Sequence, residues 1–321
     1  MTRFVLHIGL SKTGTSTLQR AVFPNHSQVF YLGKDKTSKA PRGCRSLPVH
    51  QLLELLLWTK DRQESTKQLQ LRYEQLVLAN LADRNCVLGS WEALGLESTS
   101  AFHQMIERLT AVVGDCRVIV CLRHPMAWLE SLYIQQVKGQ FIYQNRRETF
   151  GHRPYMTIDE WLQRFIDNHI EHGAFTYVEN IRAAAATLGY RNVKVMMFEA
   201  LQTDSASYYH SIADFLGVDG REFQGLALTA HENRRLRAPQ LELIERFDRS
   251  AELRKSWANM DTRARRQALR NAVDYDSEPY DELRIRIGAE WEARIAESTI
   301  AGNRWLSDQF NLDLAKYGYP L

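Results

Sequence analysis

Phe4-Val5-Leu6-His7-Ile8-Gly9-Leu10-Ser11-Lys12-Thr13-Gly14-Thr15-Ser16-Thr17-Leu18-Gln19 is the stretch on which the fold turns. The apolar run from Phe4 to Ile8 reads as a buried strand. A Gly-containing turn follows, and hydroxyl residues then open a helix. In that geometry backbone N–H groups and a helix N-terminus surround an anion. A nucleoside-triphosphate loop needs Gly-x-x-x-x-Gly-Lys-Ser/Thr, its Lys reaching the β/γ-phosphates and its hydroxyl holding Mg²⁺. Gly9 and Gly14 have that spacing, but Thr15 stands where the Lys belongs, and Lys12 lies ahead of Gly14. The stretch reads as a phosphate-binding loop unsuited to ATP–Mg²⁺ chemistry.

Outward from this stretch, strands alternate with helices. A helix is expected from about Ser16 to Phe23, stopped by Pro24. Residues Lys34 to Arg45 read as a basic loop, and Leu47 to Leu81 carries long helical patterning. Cys86 to Gly89 reads as the second strand, Ser100 to Val113 as an amphipathic helix, Arg117 to Leu122 as the third strand, and Met126 to Val137 as a helix. A polar, aromatic and basic insert runs from Lys138 to Tyr155. Ile158 to His169 and Tyr177 to Leu188 read as helices, Val193 to Phe198 as the fourth strand, and the remainder as mostly helical. Strands separated by helices of this length pair in parallel through crossovers. The expected fold class is α/β, a central parallel sheet flanked by helices. It forms one domain over residues 1–321, with helical and loop elaborations around 34–80 and 138–175.

Composition narrows the function classes. Hydrophobic residues at 44% and charged residues at 25% are ordinary for a globular chain. A net charge of +3 is too mild to point to nucleic acid. The N-terminus leads straight into a strand, so neither a signal peptide nor a transmembrane segment is expected. Cys44, Cys86, Cys116 and Cys121 lack Cys-x-x-Cys spacing, and read as reduced residues of a cytoplasmic protein rather than metal ligands or bridges.

The run Lys12-Thr13-Gly14-Thr15-Ser16-Thr17 resembles the phosphosulfate-binding loop of sulfotransferases that use 3′-phosphoadenosine 5′-phosphosulfate (PAPS). Three further segments match that family in order. Val118-Ile119-Val120-Cys121-Leu122 precedes Arg123-His124-Pro125 and a helix carrying Ser131. The block from Val193 through Phe198-Glu199-Ala200-Leu201 leads to Phe215-Leu216-Gly217. The end, Asn303-Arg304-Trp305-Leu306 through Tyr317-Gly318-Tyr319-Pro320, resembles the tail of bacterial members. The resemblance implies a P-loop-NTPase-like sulfotransferase fold, PAPS as donor, 3′-phosphoadenosine 5′-phosphate (PAP) as product, and no metal. It implies that Lys12 touches the bridging oxygen and sulfonate, and that Ser11, Thr13, Gly14, Thr15, Ser16 and Thr17 hold the 5′-phosphate with amides and hydroxyls. Arg123 and Ser131 would then take the 3′-phosphate. Arg235, in His231-Glu232-Asn233-Arg234-Arg235-Leu236-Arg237, falls where the family carries a late loop over the nucleotide.

The chemistry asks for these residue types. Sulfonyl transfer builds negative charge on the bridging oxygen, which a fixed cation stabilises; Lys12 is the candidate. A guanidinium fork suits an oxyanion, and Ser131 lies two helical turns beyond Arg123. A general base must take the proton of an acceptor hydroxyl. Glu92 is the candidate, since it directly follows a strand and ligands bind outside the carboxyl ends of strands in open α/β sheets. In the family, glycan-directed members carry a Glu near this point and other branches a His, so His124 stays open as a rival. His7 and His103 read as packing or surface residues, and Glu199 as a structural carboxylate.

The acceptor side is read from the insert. Phe141, Tyr143, Arg146, Arg147, Arg153 and Tyr155 mix aromatic and cationic groups, which favours a glycan, a glycolipid head group or another polar hydroxylated acceptor. A P-loop kinase or NTPase, and a non-catalytic nucleotide- or glycan-binding protein of the same fold, are the alternatives.

Overall fold

The computed structural model describes residues 2–34, 47–57, 65–170, 177–229, 236–273 and 283–321. In chain order they form β1 (Arg3–Gly9), α1 (Thr15–Thr17, continued by a π turn over Leu18–Val22), β2 (Val29–Lys34), α2 (Leu47–Leu57), α3 (Thr66–Leu76), β3 (Cys86–Ser90), α4 (Thr99–Val113), β4 (Cys116–Leu122), α5 (Pro125–Tyr143), α6 (Arg147–Phe150) and α7 (Ile158–Ile170). Then come α8 (Tyr177–Leu188), β5 (Val193–Met197), α9 (Phe198–Thr203), α10 (Ser205–Leu216), α11 (Gly220–Leu228), α12 (Ala238–Asp248), α13 (Ala251–Asn259), α14 (Thr262–Asn271) and α15 (Ala289–Phe310). They divide into two compact units. The first is Met1–His124 with Gly173–Glu232 and Thr299–Leu321, and the second is Pro125–His172 with Asn233–Ser298.

The first unit holds a five-stranded sheet in the order β2-β3-β1-β4-β5. Each neighbouring pair is parallel, as the helical crossovers require. Phe4, Val5, Leu6 and Ile8 are at most 1% exposed. A strand with both faces covered is an apolar run without alternation, and burial of each such side chain contributes about 1.5–3 kcal/mol. One face packs Val5, Ile119 and Cys121 against Leu18, Val22, Phe23, Ile212, Leu216 and Phe223.

The sheet has one strand more than the sequence pattern suggested. Val29-Phe30-Tyr31-Leu32 is a buried β-branched and aromatic run that pairs with β3 as an outer strand, interrupted by an irregularity between Tyr31 and Gly33. Among the described residues, the helical stretch expected over Leu47 to Leu81 holds two α-helices, α2 and α3. The second begins at a capping box, where Ser65 accepts from the Gln68 amide and the Gln68 side chain accepts from the Ser65 amide. The expected loop Lys34 to Arg45 lies outside the described residues from Asp35 onward.

In the second unit α5 runs six residues past its expected end at Val137. The reason is long-range. Trp257 Nε1 donates to the Phe141 carbonyl at 2.9 Å, and Arg265 Nη1 donates to the Ile142 carbonyl at 3.1 Å, so partners from α13 and α14 satisfy carbonyls of the last turn. Arg265 also donates to Trp257 and Ala258 carbonyls at 3.2 and 3.1 Å, binding α13 to α14.

Candidate active site

The loop between β1 and α1 is held by groups of its own unit. The Leu10 amide donates to the Cys121 carbonyl at 3.1 Å, so the chain leaves β1 still bonded to β4. The Thr13 hydroxyl donates to the Leu10 carbonyl at 2.7 Å. Lys12 and Gly14 have positive φ, 71° and 77°. A non-glycine residue there costs roughly 1–2 kcal/mol, a strain that clusters where proteins grip ligands. Left-handed residues interleaved with others curl successive N–H groups to one side, the nest geometry that binds anions. A side chain at Gly14 would be strained by the φ of 77°, with its Cβ 2.9 Å from Cδ2 at the end of Leu201.

Glu92 reaches this loop from a turn packed closely against it. β3 ends at Ser90, and the Trp91 amide donates to the His7 carbonyl at 2.9 Å, which carries the register one residue further. Glu92 then opens a 3₁₀ turn, Glu92–Leu96. Asn180 of α8 pins that turn by donating to the carbonyls of Leu94, Gly95 and Glu97 at 3.4, 3.3 and 3.0 Å. Gly95 sits against the loop, where a Cβ would meet the Gly9 carbonyl oxygen at 3.3 Å. The result is a direct link: the Thr15 hydroxyl donates to Glu92 Oε1. Asn180 gave no signal in the sequence beyond being a polar residue on the apolar face of α8.

Arg123 follows β4 and also turns to the loop. Its Nη1 donates to the Lys12 carbonyl at 2.9 Å, and its guanidinium carbon stands 4.7 Å from the centre of the Phe198 ring. Its neighbour is committed elsewhere. The His124 amide donates to Glu199 Oε1 at 2.8 Å, and His124 Nε2 lies 3.0 Å from the Gly318 carbonyl. A carbonyl has no proton to give, so Nε2 carries it. Tyr319 donates to Glu199 Oε2 at 3.1 Å and meets the His124 ring edge-on. Glu199 thus anchors the chain end to the strand end, and burial beside Glu199 holds the Tyr319 hydroxyl far above its usual range.

Among the sequence candidates, the first unit brings together Lys12, Thr13, Gly14, Thr15, Glu92 and Arg123. Ser11, Ser16 and Thr17 are half-buried in the same loop and helix start. Thr13 and Thr15 are buried, with their hydroxyl protons given to protein oxygens. Their amides are therefore the groups suited to an anion. Ser131 lies half-buried in α5 of the second unit, and Arg235 lies outside the described residues.

Several insert residues have structural partners. Phe141 and Phe150 are core, and Phe141 stacks on Trp257. Arg153 forks onto Asp248, with Nε and Nη2 at 3.0 and 2.7 Å from Oδ2, and pairs with Glu160 at 3.0 Å. Tyr143, Arg146 and Arg147 are exposed. Cys86, Cys116 and Cys121 are buried free thiols, each pushed up to about 12 by burial, so none serves as a nucleophile. Cys44 lies outside the described residues.

Comparison with known proteins decides the family. The sequence model of the sulfotransferase domain matches residues 3–236. The chain belongs to the sulfotransferase family. No curated protein sequence matches it significantly. Solved structures similar to it include a sulfotransferase from Alicyclobacillus acidocaldarius, at 16% identity, covering 83% of this chain and 99% of that one with a TM-score of 0.43. A mouse sulfotransferase complexed with PAP has 12% identity and covers 99% of this chain and 89% of that one, with a TM-score of 0.47. The parallel sheet, the loop after β1 and the family match together give a P-loop-NTPase-like sulfotransferase fold. Among the described residues no cluster of His, Cys, Asp and Glu is arranged to hold a metal ion, and no helix is long and apolar enough to cross a membrane.

Proposed function

We propose that this sulfotransferase moves a sulfonate from PAPS to a hydroxyl of a glycan or another polar acceptor. The observation that carries the reading is the Thr15–Glu92 hydrogen bond, which puts a carboxylate against the same loop whose strained backbone presents Lys12. The loop fits a phosphosulfate: its curled amides suit a phosphate, and Arg123 holds the Lys12 carbonyl from the strand next door. In the transfer the acceptor oxygen attacks sulfur while the bond to the bridging phosphate oxygen breaks. Glu92 takes the acceptor proton, Lys12 stabilises the charge left on the bridging oxygen, and PAP departs. Arg123 discriminates the 3′-phosphate.

The chain works as one sulfotransferase domain in this reading, supported by the family match, which runs through both units from residue 3 to residue 236. A cytoplasmic site of action accords with the free, buried thiols. The polar acceptor rests on exposed insert residues such as Tyr143, Arg146 and Arg147, because Phe141, Phe150 and Arg153 have structural partners.

Calorimetric titration with PAP, ATP–Mg²⁺ and ATP alone tests the donor assignment. PAP should bind much more tightly than either, without metal. Preference for ATP–Mg²⁺ overturns the reading in favour of an NTPase-type site.

A further inference from the structure

A buried chain of polar groups lies beneath the loop. Lys34 Nζ donates to Gln19 Oε1 at 3.2 Å, Gln19 Nε2 donates to Ser90 Oγ at 2.8 Å, and Ser90 Oγ lies 2.7 Å from His7 Nδ1. On the far side of the ring, His7 Nε2 is 3.6 Å from Cys121 Sγ, which is 3.4 Å from the Tyr208 hydroxyl. His7, Ser90 and Cys121 have no exposure, Gln19 has 2% and Tyr208 3%. The chain crosses the carboxyl ends of β2, β3 and β1 and the helix that the loop opens.

Proton bookkeeping gives the chain a direction. An ammonium can only donate, so it turns the carbonyl of Gln19 toward itself and the amide nitrogen toward Ser90. That nitrogen can only donate, so Ser90 Oγ accepts. The hydroxyl proton of Ser90 then has His7 Nδ1 as its acceptor, which requires a neutral ring with its proton on Nε2. Each link is the orientation the previous one demands, starting from Lys34.

The chain also has leverage. Gln19 lies on the turn that continues α1, which starts at Thr15, the residue bonded to Glu92. Ser90 is two residues before Glu92, and Lys34 is its register partner on β2. We infer that His7 is a positioning residue: through Ser90 and Gln19 it fixes the loop bearing Lys12 against the strand that leads into Glu92, and holds the Lys34 ammonium at the same edge. The inference rests on the proposed reading of the loop, but its direction stands on geometry alone.

Histidine ¹H–¹⁵N correlation spectra of the labelled full-length protein, with His7→Gln giving the assignment, test the direction. His7 should show an unprotonated Nδ1 and a protonated Nε2. In Gln19→Glu the introduced carboxylate keeps Lys34 but cannot donate to Ser90. The Ser90 proton then turns to it, and His7 should switch to the Nδ1–H form. A mere packing role predicts no switch. In Gln19→Met and Ser90→Ala the amide resonances from Ser11 to Thr15 should move and PAP affinity should fall about 3- to 10-fold, the equivalent of one lost hydrogen bond. An Nδ1–H tautomer in the parent, or the same tautomer in Gln19→Glu, overturns the directed chain. Unmoved loop resonances in both other variants overturn the positioning role. If the parent binds no PAP, the donor reading fails while both spectral arms still decide this one.

Discussion

Acidification should strip stability from the first unit through His7, ahead of the general protonation of carboxylates. Burial holds the His7 ring down to about 4, against an ordinary value of 6.5. An unfolded chain frees the ring to titrate normally. Between those two values the unfolded state binds a proton that the folded state refuses, so folding stability rises with pH there and is lost as pH falls. Above about pH 6.5 the contribution is complete. With 1.36 kcal/mol per pH unit, the loss on acidification through the window reaches about 3 kcal/mol, a large part of an ordinary domain's margin. The assay is urea denaturation of the parent and His7→Gln at several pH values from about 7 down to about 4.5. Glutamine keeps a polar group beside Ser90 but cannot titrate. Its starting stability should be lower, and its curve should be flatter than the parent's by about 1.4 kcal/mol per pH unit within the window. Parallel curves for the two proteins would refute the reasoning, because they would mean that His7 is either hydrated or already charged in the folded state.

Other consequences concern the site and its frame. Gly14→Ala puts a Cβ on a backbone at φ +77°, 2.9 Å from Leu201 Cδ2, so PAP affinity measured by calorimetry should drop about tenfold for roughly 1–2 kcal/mol of strain. Glu92→Gln should fold and keep most of its PAP affinity while losing sulfonate transfer in a PAPS assay, and near-parent turnover would pass the base role to another group. Arg123→Ala should weaken PAP far more than adenosine 5′-phosphosulfate, which lacks the 3′-phosphate; equal weakening refutes the assignment. Arg265→Met, which removes donors to three carbonyls, should lower second-unit stability by about 3 kcal/mol, read as a fall in Tm.

What the sequence revealed depended on whether the governing contact was local. The loop, Gly14 and the strand before Arg123 are local matters of spacing, turn chemistry and apolar runs, and the structure places them as expected. The outer strand β2 was missed although Val29-Phe30-Tyr31-Leu32 carries the pattern, because the pairing that makes it a strand is to residues 86–90. The end of α5 was misjudged for the same reason, since Trp257 and Arg265 supply its terminal partners. The Ser65–Gln68 capping box was readable and would have divided the long helical stretch. Arg153 shows the opposite error: a cation next to aromatics looked like a binding group, and Asp248, 95 residues away, holds it.

Glu92 marks the boundary between the two cases. Its place after a strand was legible, and its partner Thr15, 77 residues away, was not. The strand order explains why they meet. β1 is central, with β3 on one side and β4 on the other, all parallel, so the segments leaving their carboxyl ends emerge side by side. The loop comes from β1, Glu92 from β3 and Arg123 from β4. Given that order, an anion-binding loop acquires a carboxylate on one flank and a guanidinium on the other without any of the three being close in sequence. Gly95 packs closely beside the loop at this point, where a Cβ would meet the Gly9 carbonyl oxygen at 3.3 Å. A side chain at residue 95 would ask the Gly9 backbone to give by a few tenths of an ångström, beside the turn that Glu92 opens. The fold therefore supplies the neighbourhood of the site, and the Thr15–Glu92 bond with the Asn180 contacts on the Glu92 turn supplies its closure.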